Sequence, residues 1–246
     1  MPPPLTCVMR PWLLAALASL PAQAWPAASL LYNPALGSLP TAQGWAILAA
    51  GQPAAVALDN GSLRLDTTGA GVSSFGFGRI SPVALDTQAG FDLHWRLQLL
   101  SEAHTSPNRS GYTLLMVGAQ PGRALELAFW TDHVWAQDHD AGHPDRFVHG
   151  ADAAFDTTMA TDYTLSVRQQ QFTLSAGGAT LLTGALRDYT AAGLPYTLPN
   201  FVFLGDNSAR GASVSRLGAV SLSPVPEPAP ALLLALGLAA LALRRR

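Results

Sequence analysis

From Phe91 to Leu99 the side chains alternate without a break: Phe91, Leu93, Trp95, Leu97 and Leu99 are apolar, and Asp92, His94, Arg96 and Gln98 are polar. A period of two places each set on its own face of an extended strand, which predicts a half-buried antiparallel strand. No stretch between residues 25 and 222 sustains the 3.6-residue apolar period of a helix. Short strand-like segments follow one another instead, at 62–67, 73–80, 112–118, 124–130, 134–137, 161–168, 171–176, 200–204 and 213–222. Residues 146–149 are a further short candidate, and 101–110 reads as a polar loop. Asn60-Gly61, Gln120-Pro121-Gly122, Thr131-Asp132-His133 and Gly177-Gly178 supply turns between them. Segment 73–80 is laced with glycine and carries Phe75 and Phe77 on one face, whereas the pattern from Trp25 to Ala50 is weak. Many short strands separated by turn signals predict an all-β antiparallel sandwich.

Two ends fall outside that domain. Residues 1–24 have the layout of a secretory signal peptide, with Arg10 before an apolar stretch at 12–20 and the small residues Ala22 and Ala24 framing a cleavage site. The expected organisation is therefore a signal peptide at 1–24, a β-sandwich at 25–222 and a C-terminal signal at 223–246. The sandwich, about 200 residues, is one domain with ample surface to bury. Its chemistry is narrowed by what it lacks. The single cysteine, Cys7, lies in the signal peptide, so the exported chain has neither a disulfide nor a thiol ligand. All fourteen basic residues of the chain are arginine, and four of them lie in the two end segments. The sandwich is left acidic, with no basic stripe to track a phosphate backbone, which argues against a nucleic-acid partner.

The C-terminal segment has three parts in a fixed order: Val225, Pro226, Glu227 and Pro228; an apolar run at 229–243; and Arg244, Arg245 and Arg246. As a helix the run spans roughly 22 Å at 1.5 Å per residue, short of the roughly 30 Å hydrocarbon core. Snorkelling of the terminal arginines extends its reach, and their charge holds that end on the cytoplasmic side. The expectation is a transmembrane helix. This order of motif, helix and Arg cluster resembles the PEP-CTERM sorting signal of Gram-negative bacteria. The resemblance implies an exosortase partner that recognises the Pro-Glu-Pro motif, an inner-membrane anchor before processing, and delivery to the cell surface or the exopolysaccharide matrix.

Segments beginning Asp162-Tyr-Thr-Leu-Ser-Val, Phe172-Thr-Leu-Ser-Ala, Leu181-Leu-Thr-Gly and Phe203-Leu-Gly-Asp-Asn-Ser are similar to the later strands of concanavalin A-like lectin/glucanase domains. That resemblance implies a jelly-roll sandwich, and with it glycan binding. Trp130 and Trp135 are the candidates to stack on sugar rings, with Asp132, Asp206 and Asn207 to orient hydroxyls. Strand tryptophans also serve as core, and a turn explains Asp206 and Asn207 equally well. Four of the six histidines fall between His133 and His149, among Asp132, Asp138, Asp140 and Asp145. Calcium is the candidate ion there, with Asp138 and Asp140 as ligands, yet no ordered ligand spacing is present and a solvated acidic loop accounts for the same residues.

For catalysis the arrangement is poor. Glu102 and Glu126 are the only glutamates of the sandwich, and they do not form the Glu-x-Asp-x-x-Glu strand of laminarinase-type members of this fold. The reading is a non-enzymatic, exosortase-sorted surface or matrix protein that binds exopolysaccharide, with no obligate cofactor. Two alternatives stay open: a divergent glycoside hydrolase or lyase, using a carboxylate pair such as Asp132 with Glu126, and a structural spacer without a ligand.

Overall fold

A computed structural model describes residues 28–139, 142 and 146–225. Ala22, Ala24, the apolar run 229–243, Pro226, Glu227, Pro228, Arg244, Arg245, Arg246 and Asp140 lie outside the described residues. No helix among the described residues is long and apolar enough to cross a membrane.

The strands run in the order β1 (Ser29–Tyr32), β2 (Ala46–Gly51), β3 (Ala55–Asp59), β4 (Ser62–Asp66), β5 (Val72–Ile80), β6 (Phe91–His104), β7 (Thr113–Val117) and β8 (Ala124–Phe129). They continue with β9 (His133–His139), β10 (Phe147–Ala154), β11 (Thr161–Arg168), β12 (Gln171–Ala176), β13 (Ala179–Ala185), β14 (Phe201–Asp206) and β15 (Gly211–Pro224). Every named pairing is antiparallel. An eight-stranded sheet has the order β13-β12-β11-β6-β15-β4-β3, with β1 also on β15, and a seven-stranded sheet has the order β10-β9-β8-β7-β14-β5-β2. The fold is thus an all-β antiparallel two-sheet sandwich.

The alternation in β6 does what its period requires. Phe91, Leu93, Trp95, Leu97 and Leu99 are buried at 2% exposure or less, while the residues between them face outward. Trp95 stacks on Tyr163 at 5.4 Å and 9° and meets Phe129 of the other sheet edge-on at 6.4 Å, so its ring locks the two layers together. From the seven-stranded sheet, Phe75, Phe77, Leu114, Met116, Leu125 and Leu127 complete this core. At about 1.5–3 kcal/mol for each large apolar side chain buried, the contact between sheets is the main source of stability.

Strand β6 runs on to His104, through residues expected as loop, because β15 pairs with it as far as Gly211↔His104. Strand β10 likewise extends to Ala154 as the partner of β9. Strands β2 and β3 carry no alternation in sequence; both are largely exposed and close one edge of each sheet.

Candidate functional site

The seven-stranded sheet buries both of its faces, and the outer one is unusual. On β7, Leu114 and Met116 point into the main core, whereas Leu115 and Val117 point away and join Phe201, Phe203, Tyr189 and Tyr196 in a second apolar cluster. The two tyrosines belong to a strap, residues 187–200, laid across this face. Reciprocal backbone bonds between Arg187 and Ala124 (2.8 and 2.9 Å) pin one end, and Asn200 N–H on the Gly118 carbonyl (3.1 Å) pins the other. Tyr189 donates its hydroxyl to the Gln137 carbonyl, and Tyr196 packs on Phe147 with ring centroids 5.0 Å apart.

Beside the strap the face opens into a cleft of about 340 Å³. Its lining comes from separate stretches of chain: Arg109 and Thr113, Glu126, Gln137, Arg146 and Phe147, Tyr196, and Asn207 with Ser208. Glu126 is the one polar residue of β8, flanked by Leu125 and Leu127, and is only 4% exposed. A hydrogen-bond chain leads to it: Asn207 Nδ2 donates to the Tyr196 hydroxyl (2.9 Å), which donates to Glu126 Oε2 (2.8 Å). Asn207 Nδ2 also lies 3.4 Å from Glu126 Oε1. Burial pushes the Glu126 carboxyl above its ordinary value, while the Tyr196 and Asn207 hydrogen bonds and the Arg109 charge pull it back. Burial, and then the adjoining Glu126, push Tyr196 well above the usual phenol range.

The wall opposite is held by one loop. Arg109 Nη1 donates to the carbonyls of Asn108 (2.7 Å) and Phe147 (3.0 Å). Gln137 Nε2 donates to the Asn108 carbonyl (3.2 Å), and Asn108 Oδ1 accepts from the His149 N–H (2.8 Å). Chemically the cleft offers guanidinium, amide and hydroxyl groups to a ligand rich in oxygen, and a single carboxyl.

Of the residues expected to bind a glycan, Asn207 alone lines this cleft; Glu126, named for the rival catalytic pair, lines it too. Trp135 is fully buried, stacked on His149 at 4.2 Å and 9°, so it offers no face to a sugar. Trp130 is covered by His104, stacked at 4.2 Å and 8°. Trp135 is therefore a packing group, and the sugar-stacking expectation is corrected for it; Trp130 stays half-buried, with one ring face taken by His104. Asp132 sits in the turn between β8 and β9 with its side chain 74% exposed, 3.1 Å from His133 Nδ1, and does not meet Glu126 in the cleft. Asp206 precedes Asn207 and is 1% exposed; its Oδ1 accepts from Ser208 N–H (2.9 Å). Burial pushes its carboxyl up to about 8. Asp138 forms an ion pair with Arg187, which engages the carboxylate expected to hold calcium. Among the described residues no group of three His, Cys, Asp or Glu side chains is placed to hold a metal.

Sequence reasoning missed Arg109, Gln137, Arg146 and Tyr196. The available signal was a polar residue inside an otherwise apolar run, as with Glu126 in β8 and Gln137 after Val134-Trp135-Ala136 in β9.

No family model matches the chain, and no curated protein sequence does. Among solved structures it is similar to the conserved carbohydrate esterase of Shiga toxin-encoding bacteriophage phi24B, at 15% identity over 81% of this chain and 100% of that one, with a TM-score of 0.57. A Bacillus subtilis protein of unknown function with a galectin-like fold is 12% identical over 82% of this chain and 98% of that one, with a TM-score of 0.51. A sialidase shares 13% identity over 81% of this chain and 19% of its own length, also with a TM-score of 0.51. At these identities the likeness is one of fold.

Proposed function

We propose that the protein is an exported, non-enzymatic polysaccharide-binding protein whose concanavalin A-like sandwich takes its ligand in the cleft beside the strap. The observation that carries this reading is the Asn207–Tyr196–Glu126 hydrogen-bond chain at the wall of an open cleft. Buried polar groups held in fixed geometry around a concavity are what distinguishes a binding site from a folded surface. A hydroxyl-rich ligand can exchange hydrogen bonds with Gln137, Asn207 and the two arginines without any of them moving far. Binding is favoured over hydrolysis because the cleft has one carboxyl, and glycosidases place two about 5–10 Å apart. The carbohydrate esterase and sialidase among the structural neighbours are consistent with a fold that meets sugars.

A glycan array probed with the exported chain tests this: binding that Glu126→Gln weakens about tenfold supports it, and no bound glycan ends it. The rival reading, a polysaccharide lyase or hydrolase, draws on the buried Tyr196–Glu126 pair, and it predicts new reducing ends or unsaturated products on incubation with a bound polysaccharide. For sorting, we propose release from the inner membrane by an exosortase at Val225–Pro228. Deleting residues 226–246 then changes where the protein accumulates, which fractionation reads; an unchanged distribution refutes the route.

A further inference from the structure

We infer that the cleft is one half of a longer groove, open across strand β2, and that the ligand is the interior of a linear polysaccharide rather than a terminal sugar. This rests on the reading of the cleft as a glycan site and extends it to a second subsite.

A second depression of about 400 Å³ lies beside it, bounded by Ile47 and Leu48 of β2, Ser74 of β5, Phe203 and Asp206 of β14, and Asn207. Asn207 borders both depressions, so its side-chain amide stands at their junction. Each alone is near the small end of the roughly 300–1,000 Å³ of ligand pockets, and together they reach the middle of it. The two halves carry different groups. The first is walled by Arg109, Arg146, Glu126 and Gln137, while the second sets the apolar Ile47, Leu48 and Phe203, which suit the apolar face of a pyranose ring, beside Ser74, Asp206 and Asn207.

The second depression follows from the glycines of β5. A Cβ on Gly76 would stand 2.4 Å from Phe203 Cζ, and one on Gly78 would stand 2.6 Å from Phe201 Cζ. The phenyl rings of β14 therefore lie down over β5 and form a low floor where side chains would otherwise rise. Beyond it the sheet ends on β2, whose Ala46, Ala49, Ala50 and Gly51 are small and exposed. Ile47, 52% exposed, and Leu48 are the only large side chains of that strand, and both border the second depression, so a chain entering beside Glu126 has a way out over an apolar rim on β2.

The test is a length series. Calorimetric titration of the full chain with laminari-, cello- and alginate-oligosaccharides of two, four and six residues should show at least tenfold tighter binding of the tetramer than of the dimer for the series that binds. Ser74→Trp, which fills the second depression, should bring the tetramer to the affinity of the dimer and leave the dimer unchanged. If Ser74→Trp does not fold, as judged by its melting curve, Leu48→Arg on the edge strand blocks the same place. Equal affinity for dimer and tetramer in the unaltered chain, or an equal loss for both lengths in the blocked variant, overturns the second subsite while the cleft stands. No binding of any length, across all series, overturns the cleft reading and this inference with it.

Discussion

Two regions of the molecule invite comparison: the aromatic block of Trp130, Trp135 and His149 with His104 of β6, and the cleft around Glu126. Both combine rings with hydrogen-bonding groups, and both use β9. In the block, ring lies on ring at 4.2 Å, and the space between the groups is gone. In the cleft the strap stands off the sheet, and Tyr196, Asn207 and Glu126 satisfy one another at the edge of an open volume. The block is crowded in sequence and closed in space; the cleft is scattered in sequence and open in space. Binding chemistry needs the second property, because a ligand can reach only groups with room in front of them.

The comparison can be broken by experiment, and the largest effect should come from the block. Trp135→Ala removes a fully buried indole and should cost about 3–5 kcal/mol in denaturant unfolding. A loss below about 1 kcal/mol would mean that the ring is not the packing group described. Next comes Tyr196→Phe, which takes from Glu126 its shorter hydrogen bond and should cost about 1–3 kcal/mol, together with a fall in glycan affinity. If affinity is unchanged, the cleft does not bind through this chain of groups.

A pH experiment separates the neighbours Asp206, a buried carboxyl, and Asn207, an amide at the cleft. Desolvation raises the Asp206 carboxyl from 3.8 to about 8, so the folded state holds a proton that the unfolded chain releases. The associated stability is complete below about pH 4 and is lost as pH rises through about 8. Asp206→Asn should flatten the fall in melting temperature over that window; an equally steep fall in the variant would assign it to Glu102 and Glu126, which are shifted in the same direction. The smallest effect belongs to Asp132→Asn. At 74% exposure it should change stability by less than about 0.5 kcal/mol and leave affinity alone. A clear loss of binding would return Asp132 to the site.

Much of the sandwich could be read from the chain, because the inner faces of β6, β11 and β12 are buried on one side only and their sequences alternate accordingly. Asn60-Gly61 announced its hairpin, and both residues have the positive φ that a tight turn requires (50° and 74°). Strands β7, β8 and β14 are buried on both sides, so they show apolar runs with no sidedness, and nothing local says which face carries a second cluster. Strands β2 and β3 escaped for the opposite reason: small, exposed residues carry no pattern. The cleft was hidden because its groups meet only when the strap folds back over β7 and β8. Asn207 was found as a polar residue in a turn, and Tyr196 had no signal at all.

The last described strand, β15, lies inside the eight-stranded sheet, bonded to β6 on one side and to β4 and β1 on the other, and it ends at Pro224, next to Val225. A pull on the chain at that point runs parallel to the strand, at right angles to its cross-strand bonds. The ladder would then slip as a whole instead of peeling rung by rung, so a domain tugged along this strand is gripped from both sides at once.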